Sequence, residues 1–200
     1  MTTTIEMIKK LREETGAGVL DCRMALEQAE GVYVTALENL REKAAAQAAK
    51  RADHQASQGM VELYSHGDGR IGVMVEVNTE TDFAARSAGL RSFAHEVALH
   101  IAAAAPLYVR DEDIPAQTLE EEAQKAAGRA RAEGKPEAII PRIVEGYLKK
   151  YRDRHVLLRQ PWIRDDEVSM AELLNRAAAS VGENIVIRRF ARYAVGEGAE

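Results

Sequence analysis

The spacing of the apolar residues changes at Gly59, and this change constrains the fold more than any other feature of the 200-residue chain. Before Gly59, apolar residues recur at the three- and four-residue intervals of amphipathic helices. After it they alternate with other residues, first in Val61-Glu-Leu63 and then from Ile71 to Val77, on either side of Gly67-Asp-Gly69. This pattern predicts a β-hairpin that follows a helical segment.

Three short helices are predicted in the first 43 residues. Thr4 is a candidate cap for the first helix, which should end before Gly16. Asp21 should cap the second helix, which ends at Gly31, and the third should run from about Val34 to Lys43. The residues expected in their common core are Ile5, Ile8, Leu11, Cys22, Ala25, Leu26, Ala29, Ala36, Leu37 and Leu40. Three such short helices predict a small antiparallel bundle.

The rest of the chain is predicted to form an α+β core over residues 57–200. Residues 44–56 contain no large apolar side chain, so they should form a helical linker. We expect this linker to tether the bundle to the core without packing the bundle against it. After the hairpin we predict an apolar helix over Ser87–Ala104, and then a helical hairpin over Leu119–Glu133 and from Pro136 or Glu137 to about Arg154. An irregular stretch over Val156–Trp162 should follow, then a last helix from Ser169 or Met170 to Val181 and a strand over Ile185–Tyr193 beside the β-hairpin. The expected fold is therefore a small antiparallel sheet covered by helices, with a helical hairpin, after a bundle over residues 1–43.

Composition disfavours several classes of protein. The chain has 27 Lys and Arg against 32 Asp and Glu, and this net charge of -5 disfavours a nucleic-acid partner. Cys22 is the single cysteine, which rules out an intrachain disulfide and suits a reducing compartment. Because no stretch resembles a signal peptide or a membrane span, we expect a cytoplasmic protein without a membrane partner.

No motif requires catalysis. His95 and His100 flank Glu96, but a zinc-protease helix places its histidines four residues apart, whereas these are five apart and point about 140° away from each other. We expect no metal, no cofactor and no catalytic residue. A small hydrolase that uses His95, Glu96 and His100 stays open only as a distant alternative.

Composition does not explain the segment Asn78-Thr-Glu-Thr-Asp-Phe83-Ala-Ala-Arg86, where the hairpin leads into the apolar helix. In one interpretation Thr81 or Asp82 caps the helix and Phe83 packs into the core. In the other, an acidic and an aromatic side chain lie at an exposed tip that enters a pocket of another protein. The residues alone leave both interpretations open.

Eight segments, in order and with compatible spacing, resemble the translation elongation factor Ts family, the guanine-nucleotide exchange factors of elongation factor Tu. The segments are Leu11-Arg-Glu-Glu-Thr-Gly-Ala-Gly18, Asp21-Cys22, Ala25-Leu26-Glu27, Asn78-Thr-Glu-Thr-Asp-Phe83, His100-Ile-Ala102, Gly134-Lys-Pro136, Gln160-Pro161 and Gly182-Glu-Asn-Ile185. One segment alone would be weak evidence, but eight that extend over nearly the whole chain are specific.

The resemblance implies a bundle similar to ubiquitin-associated domains and a protein that is not an enzyme. Family members bind elongation factor Tu with GDP, promote GDP release by disturbing the magnesium and phosphate site, and stay bound until GTP binds. Their magnesium-dislodging segment corresponds to Thr81, Asp82, Phe83 and Ala84. Their bundle docks elsewhere on the same G domain, and the candidate contacts here are Arg12, Gly16, Gly18, Val19 and Leu20.

The single sheet predicted for this chain indicates that the protein assembles with itself. Longer family members carry a duplicated core, whereas a single three-stranded sheet would leave one face or edge open. We therefore expect a homodimer through the sheet residues 60–78 and 184–194.

The alternative function is an adaptor whose bundle binds ubiquitin-like or nascent-chain partners, with the core as a dimerising scaffold.

Overall fold

The computed structural model describes residues 5–51 and 53–198, so the predicted cap Thr4 lies outside the described residues. The helices are α1 (Ile5–Thr15), α2 (Val19–Gln28), α3 (Tyr33–Arg51), α4 (Asp82–Ala85), α5 (Ala88–Ala104), α6 (Ala116–Ala132), α7 (Ile140–His155) and α8 (Met170–Val181). The strands are β1 (Gln58–His66), β2 (Ile71–Thr79), β3 (Pro161–Trp162), β4 (Asp165–Ser169) and β5 (Ile185–Ala194). This content confirms the predicted α+β class. Contacts group the chain into two compact units, Met1–Leu99 with Ala171–Glu200, and His100–Met170.

The prediction that Ile5 belongs to the core of the bundle is wrong, because this first residue of α1 is 85% exposed. The three N-terminal helices enclose the rest of the predicted apolar core. Its buried members are Leu11, Cys22, Ala25, Leu26, Ala29, Ala36 and Leu40, with Ile8 and Leu37 partly buried beside them. The prediction that Asp21 caps α2 is wrong, because Gly18 takes the cap position in an extended conformation. Asp21 lies in the first turn, where a carboxylate is favourable against the helix dipole, and it accepts a hydrogen bond from Lys43 Nζ at 2.7 Å.

The bundle packs against α8, so the expectation of a tether without packing is wrong. Gly16 has φ +70°, and a Cβ on it would lie 3.1 Å from the carbonyl oxygen of Arg176. The helix α3 continues through most of the predicted linker, and the guanidinium group of Arg51 at its end donates to the carbonyl oxygen of Gly182. These contacts use backbone atoms, which the hydropathy pattern does not report. The division into domains at residues 43 and 56 stays a prediction.

The strands β1, β2 and β5 form one antiparallel sheet in the order β1-β2-β5, which confirms the predicted hairpin and closing strand. On the covered face, Val73, Val75 and Val77 of β2 are buried. The helix α5 lies on this side, where His95 Nδ1 is 3.1 Å from a carboxylate oxygen of Glu62. The open face carries exposed apolar side chains at Val61, Leu63, Met74 and Tyr193.

The unit His100–Met170 contains the predicted helical hairpin, formed by α6 and α7. The hydroxyl of Tyr147 on α7 donates to the carboxylate of Glu122 on α6 at 2.9 Å. The stretch predicted as irregular holds a short helical turn, Leu157–Arg159, and then β3, which pairs with β4. Arg159 fixes this stretch by donating to both carboxylate oxygens of Asp111 at 2.6 Å.

His100 is buried in this unit and is predicted to make its stability depend on pH. Its Nε2 lies 3.0 Å from Oε1 of Gln160, whose amide nitrogen donates to the carbonyl of Arg154. This arrangement makes Nε2 the protonated ring nitrogen, and Nδ1 has no partner among the described residues. Burial lowers the pKa of His100, because a cation there would lose its hydration.

The unfolded chain therefore binds a proton at this histidine more readily than the folded chain does. We expect the free energy of unfolding to be full above about pH 6.5 and to fall as the pH falls below that value, by at most about 1.4 kcal/mol per pH unit. Urea unfolding of the wild type and His100→Gln from pH 8 to pH 5 measures this dependence. The variant should have the flatter profile, and parallel profiles would contradict the assignment.

Candidate partner-binding site

A short turn and the helix α4 connect the end of β2 to α5. Thr81 is the N-cap of α4, and its Oγ1 accepts a hydrogen bond from the amide of Ala84 at 3.2 Å. The buried Thr79 donates its hydroxyl to the carbonyl oxygen of Thr81 at 3.0 Å. These bonds give the turn a defined conformation at the end of the sheet.

The turn directs its acidic and aromatic side chains to solvent and its alanine inward. Phe83 is 85% exposed, so it does not pack into the core. Asp82 is exposed too and pairs with Arg86 at 3.3 Å on the same turn of helix. Ala84 is buried and anchors α4. Thr81 caps the separate short helix α4 and not the apolar helix for which the cap was predicted, where the hydroxyl of Ser87 accepts from the amide of Leu90. Phe83 has the exposed position of the second interpretation.

A second segment, between α8 and β5, holds this turn. The carboxylate of Glu183 accepts the amide N–H of Thr81 at 3.0 Å and the hydroxyl of Thr81 at 2.6 Å. In return, the amide of Asn184 donates to the carboxylate of Glu80 at 2.7 Å. Each segment therefore places a carboxylate on a backbone N–H of the other. We call these four residues, Glu80, Thr81, Glu183 and Asn184, the carboxylate clasp.

His54 joins the carboxylate clasp from the segment after α3. Its Nδ1 lies 3.1 Å from Glu80, and its carbonyl oxygen accepts a hydrogen bond from the side-chain amide of Asn184 at 3.0 Å. The amide of Asn184, and then the His54 ring, lower the pKa of Glu80. Glu80 is therefore ionised near neutral pH.

Sequence reasoning assigned no role to Glu80, Glu183, Asn184 or His54. The available signal was the segment Gly182-Glu-Asn-Ile185, which takes part in the family resemblance. Nothing in that segment indicated which residues it contacts, because Glu183 and Thr81 are 102 positions apart.

The predicted docking residues of the bundle do not all share one surface. Val19 and Leu20, at the start of α2, are 55% and 59% exposed, and Arg12 and Gly18 are exposed as well. Gly16 instead lies against the backbone of α8. Val19 and Leu20 thus form an exposed apolar tip at the start of α2, and Arg12 exposes a cation on α1.

The two histidines of the α5 helix each have a partner of their own. His95 is exposed beside Glu62, and His100 is buried against Gln160. Over residues 5–51 and 53–198, no three His, Cys, Asp or Glu side chains are arranged to hold a metal ion. None of the helices in this part of the chain has the length and apolar character needed to cross a bilayer.

Comparison with known proteins extends over almost the entire chain. The family model described as "Elongation factor TS" matches residues 2–197. A protein named Elongation factor Ts from Caldanaerobacter subterraneus subsp. tengcongensis is 51% identical over 195 residues, which cover 98% of this chain and 98% of that protein. Its namesake from Acetivibrio thermocellus is 48% identical over 197 residues, which cover 98% of this chain and 92% of that protein. The chain therefore belongs to the elongation factor Ts family of translation elongation factors.

Proposed function

We propose that this chain is a guanine-nucleotide exchange factor for elongation factor Tu and works in the cytoplasm. Membership of the elongation factor Ts family supports this proposal. The observation that carries it is the 85% exposed Phe83, which an ordered turn presents beside the carboxylate of Asp82. An exposed aromatic side chain on a fixed turn is suited to enter a pocket of a partner.

The proposed mechanism needs no covalent step. GDP in a G domain is held largely by Mg²⁺ and by groups around its phosphates, so a small displacement of these groups lowers its affinity. The ring of Phe83 would displace neighbouring groups, and the negative charge of Asp82 would oppose the phosphates. By linkage, bound nucleotide weakens the affinity for this chain by the same factor, so GTP then expels it.

The tip of the bundle supplies the second contact in this proposal. Val19 and Leu20 expose apolar surface that a partner can bury, and Arg12 lies on the preceding helix. The Gly16 turn lies against α8 and Arg51 bonds to Gly182 just before β5, so the bundle is tied to the unit that carries the Phe83 turn. The two contacts can then bind one G domain together without the cost of ordering a flexible linker.

Complex formation tests this function against the adaptor alternative. An exchange factor should form a stable complex with nucleotide-free elongation factor Tu, and GDP or GTP with Mg²⁺ should dissociate that complex. An adaptor that binds through its bundle alone should be insensitive to nucleotide. Size-exclusion chromatography with and without nucleotide separates the two, and an unchanged complex would contradict the exchange proposal.

We further propose that the chain is a homodimer through the open face of its sheet. Leu63 is 71% exposed and stands opposite Met74 in the register of β1 and β2, with Ala191 next on β5. A contiguous apolar sheet face of this kind favours burial against a second copy. Cys22 is buried in the bundle, so the interface does not depend on a disulfide.

Leu63→Asp is expected to convert this dimer to a monomer, because the interface would bury an unpaired charge. Light scattering should then change from twice 22.0 kDa to 22.0 kDa. The matched control is Leu107→Asp, since Leu107 is also an exposed leucine but lies outside the sheet. A wild-type mass of 22.0 kDa at micromolar concentration would contradict the dimer.

A further inference from the structure

We infer that Glu183 is a positioning residue for Phe83, because its carboxylate binds both the amide and the hydroxyl of Thr81 and so orders the turn that presents the ring. The inference rests on the proposed function, since it assigns Glu183 a role in nucleotide exchange. Glu183 itself is 102 positions from Thr81 in sequence and is not expected to touch the nucleotide.

The single proton of the Thr81 hydroxyl explains how the carboxylate acts at a distance. That proton points to Oε1 of Glu183, at 2.6 Å. A lone pair of the same oxygen is thereby left to accept the amide N–H of Ala84, at 3.2 Å. The carboxylate of Glu183 thus orients the hydroxyl as an acceptor and maintains the cap of α4.

The short helix depends on this cap more than a long helix would. It comprises four residues, Asp82–Ala85, and a helix of that length has little stability of its own. Phe83 is 85% exposed and gains little from packing, so the direction of its ring follows the backbone of α4. A change in the backbone at Thr81 therefore changes the direction of the Phe83 ring.

Glu183 can act as a fixed support because its own segment is tied to the unit on both sides. Before it, the carbonyl of Gly182 accepts from Arg51; after it, the amide of Asn184 donates to Glu80 at 2.7 Å. Ile185 then pairs with Thr79 in the sheet. These contacts fix the backbone that directs the carboxylate of Glu183 toward Thr81.

Two substitutions separate a positioning role from a general structural role. Glu183→Gln keeps the size of the side chain but has one carbonyl oxygen for the two donors of Thr81, and Glu183→Ala removes both acceptors. We expect Glu183→Ala to slow GDP release from elongation factor Tu about fivefold or more, with a smaller effect for Glu183→Gln. The control is Glu133→Gln, an exposed acid on the other compact unit, which should leave the rate unchanged.

A double-mutant cycle with Phe83→Ala tests whether the effect passes through the ring. If Glu183 acts by positioning Phe83, then Glu183→Ala should slow release in the wild type and add nothing in the Phe83→Ala background. Equal effects in both backgrounds would overturn the inference. If Glu183→Ala does not fold, Thr81→Val removes the hydroxyl that Glu183 accepts and Thr81→Ser keeps it. Release should then be slowed in Thr81→Val, by no more than in Phe83→Ala, and should stay near the wild-type rate in Thr81→Ser; equal rates in the two variants would overturn the inference.

Hydrogen exchange gives a readout that does not depend on elongation factor Tu. The amides of Ala84 and Ala85 bond to the hydroxyl and the carbonyl of Thr81. Their protection should fall in Glu183→Ala while protection in the sheet is kept, and unchanged protection would overturn the inference. A wild-type chain that does not accelerate GDP release would contradict the proposed function, while these amides would still report whether Glu183 orders the turn.

Discussion

Phe83→Ala is expected to slow GDP release from elongation factor Tu by at least about tenfold, which corresponds to about 1.4 kcal/mol of lost coupling. The melting temperature should be nearly unchanged, because the ring is 85% exposed and its removal leaves no cavity. Stopped-flow release of a fluorescent GDP and thermal unfolding measure the two effects. Asp82→Ala should have a smaller effect on release in the same direction.

Phe93→Ala provides the matched control for this substitution. Phe93 lies on α5 and is 5% exposed, so the same change there should destabilise the protein by about 3–5 kcal/mol. Comparison of the two variants thus distinguishes an aromatic ring that binds a partner from one that stabilises the core. A Phe83→Ala variant that loses several kcal/mol, or that releases GDP at the wild-type rate, would contradict the proposed role.

Gly59→Ala is expected to destabilise the protein by about 3 kcal/mol or more, because the added methyl group has no room. Gly59 stands opposite Asn78 in the register of β1 and β2 and has φ +153°. A Cβ would lie 2.3 Å from the carbonyl oxygen of Val77 and 2.7 Å from Cα of Asn78, so the backbone itself must move. The neighbouring pair Gln58 and Thr79 would move with it, and the turn that carries Phe83 starts there.

Gly128→Ala is the control for the glycine substitution. Gly128 lies in α6, and apart from the adjacent backbone of this helix a Cβ on it would meet no atom within 4 Å. Alanine should stabilise this helix by about 1 kcal/mol, since glycine is the poorer helix former. Chemical unfolding measures both variants, and a Gly59→Ala protein as stable as the wild type would show that the strands can separate at that point.

Local spacing predicted most of the fold, because most elements bury a periodic apolar face. The alternation through Val73, Val75 and Val77 indicated a strand, and the structure buries these three side chains. Spacing did not reveal that Gly18 would cap α2, because Asp21 is an equally good cap by residue type. It also missed β3, whose two residues are too few to show a period.

Contacts made by backbone groups could not be predicted from the sequence. The packing of Gly16 on α8 involves a carbonyl oxygen and no large apolar side chain, so the hydropathy of the segment gives no sign of it. At the candidate site, Thr81 was predictable as a cap because capping is local. The bonds from Thr81 to Glu183 join distant parts of the chain, and only the register of β2 with β5 brings them together.

The most direct measurement is the release of fluorescent GDP from elongation factor Tu with this chain present in large deficit. An exchange factor dissociates when new nucleotide binds and acts again, so excess GTP should drive release of nearly all the labelled GDP at a rate proportional to the chain concentration. Release of no more GDP than the amount of chain added, or no acceleration at all, would contradict the proposal that this protein exchanges nucleotide on elongation factor Tu.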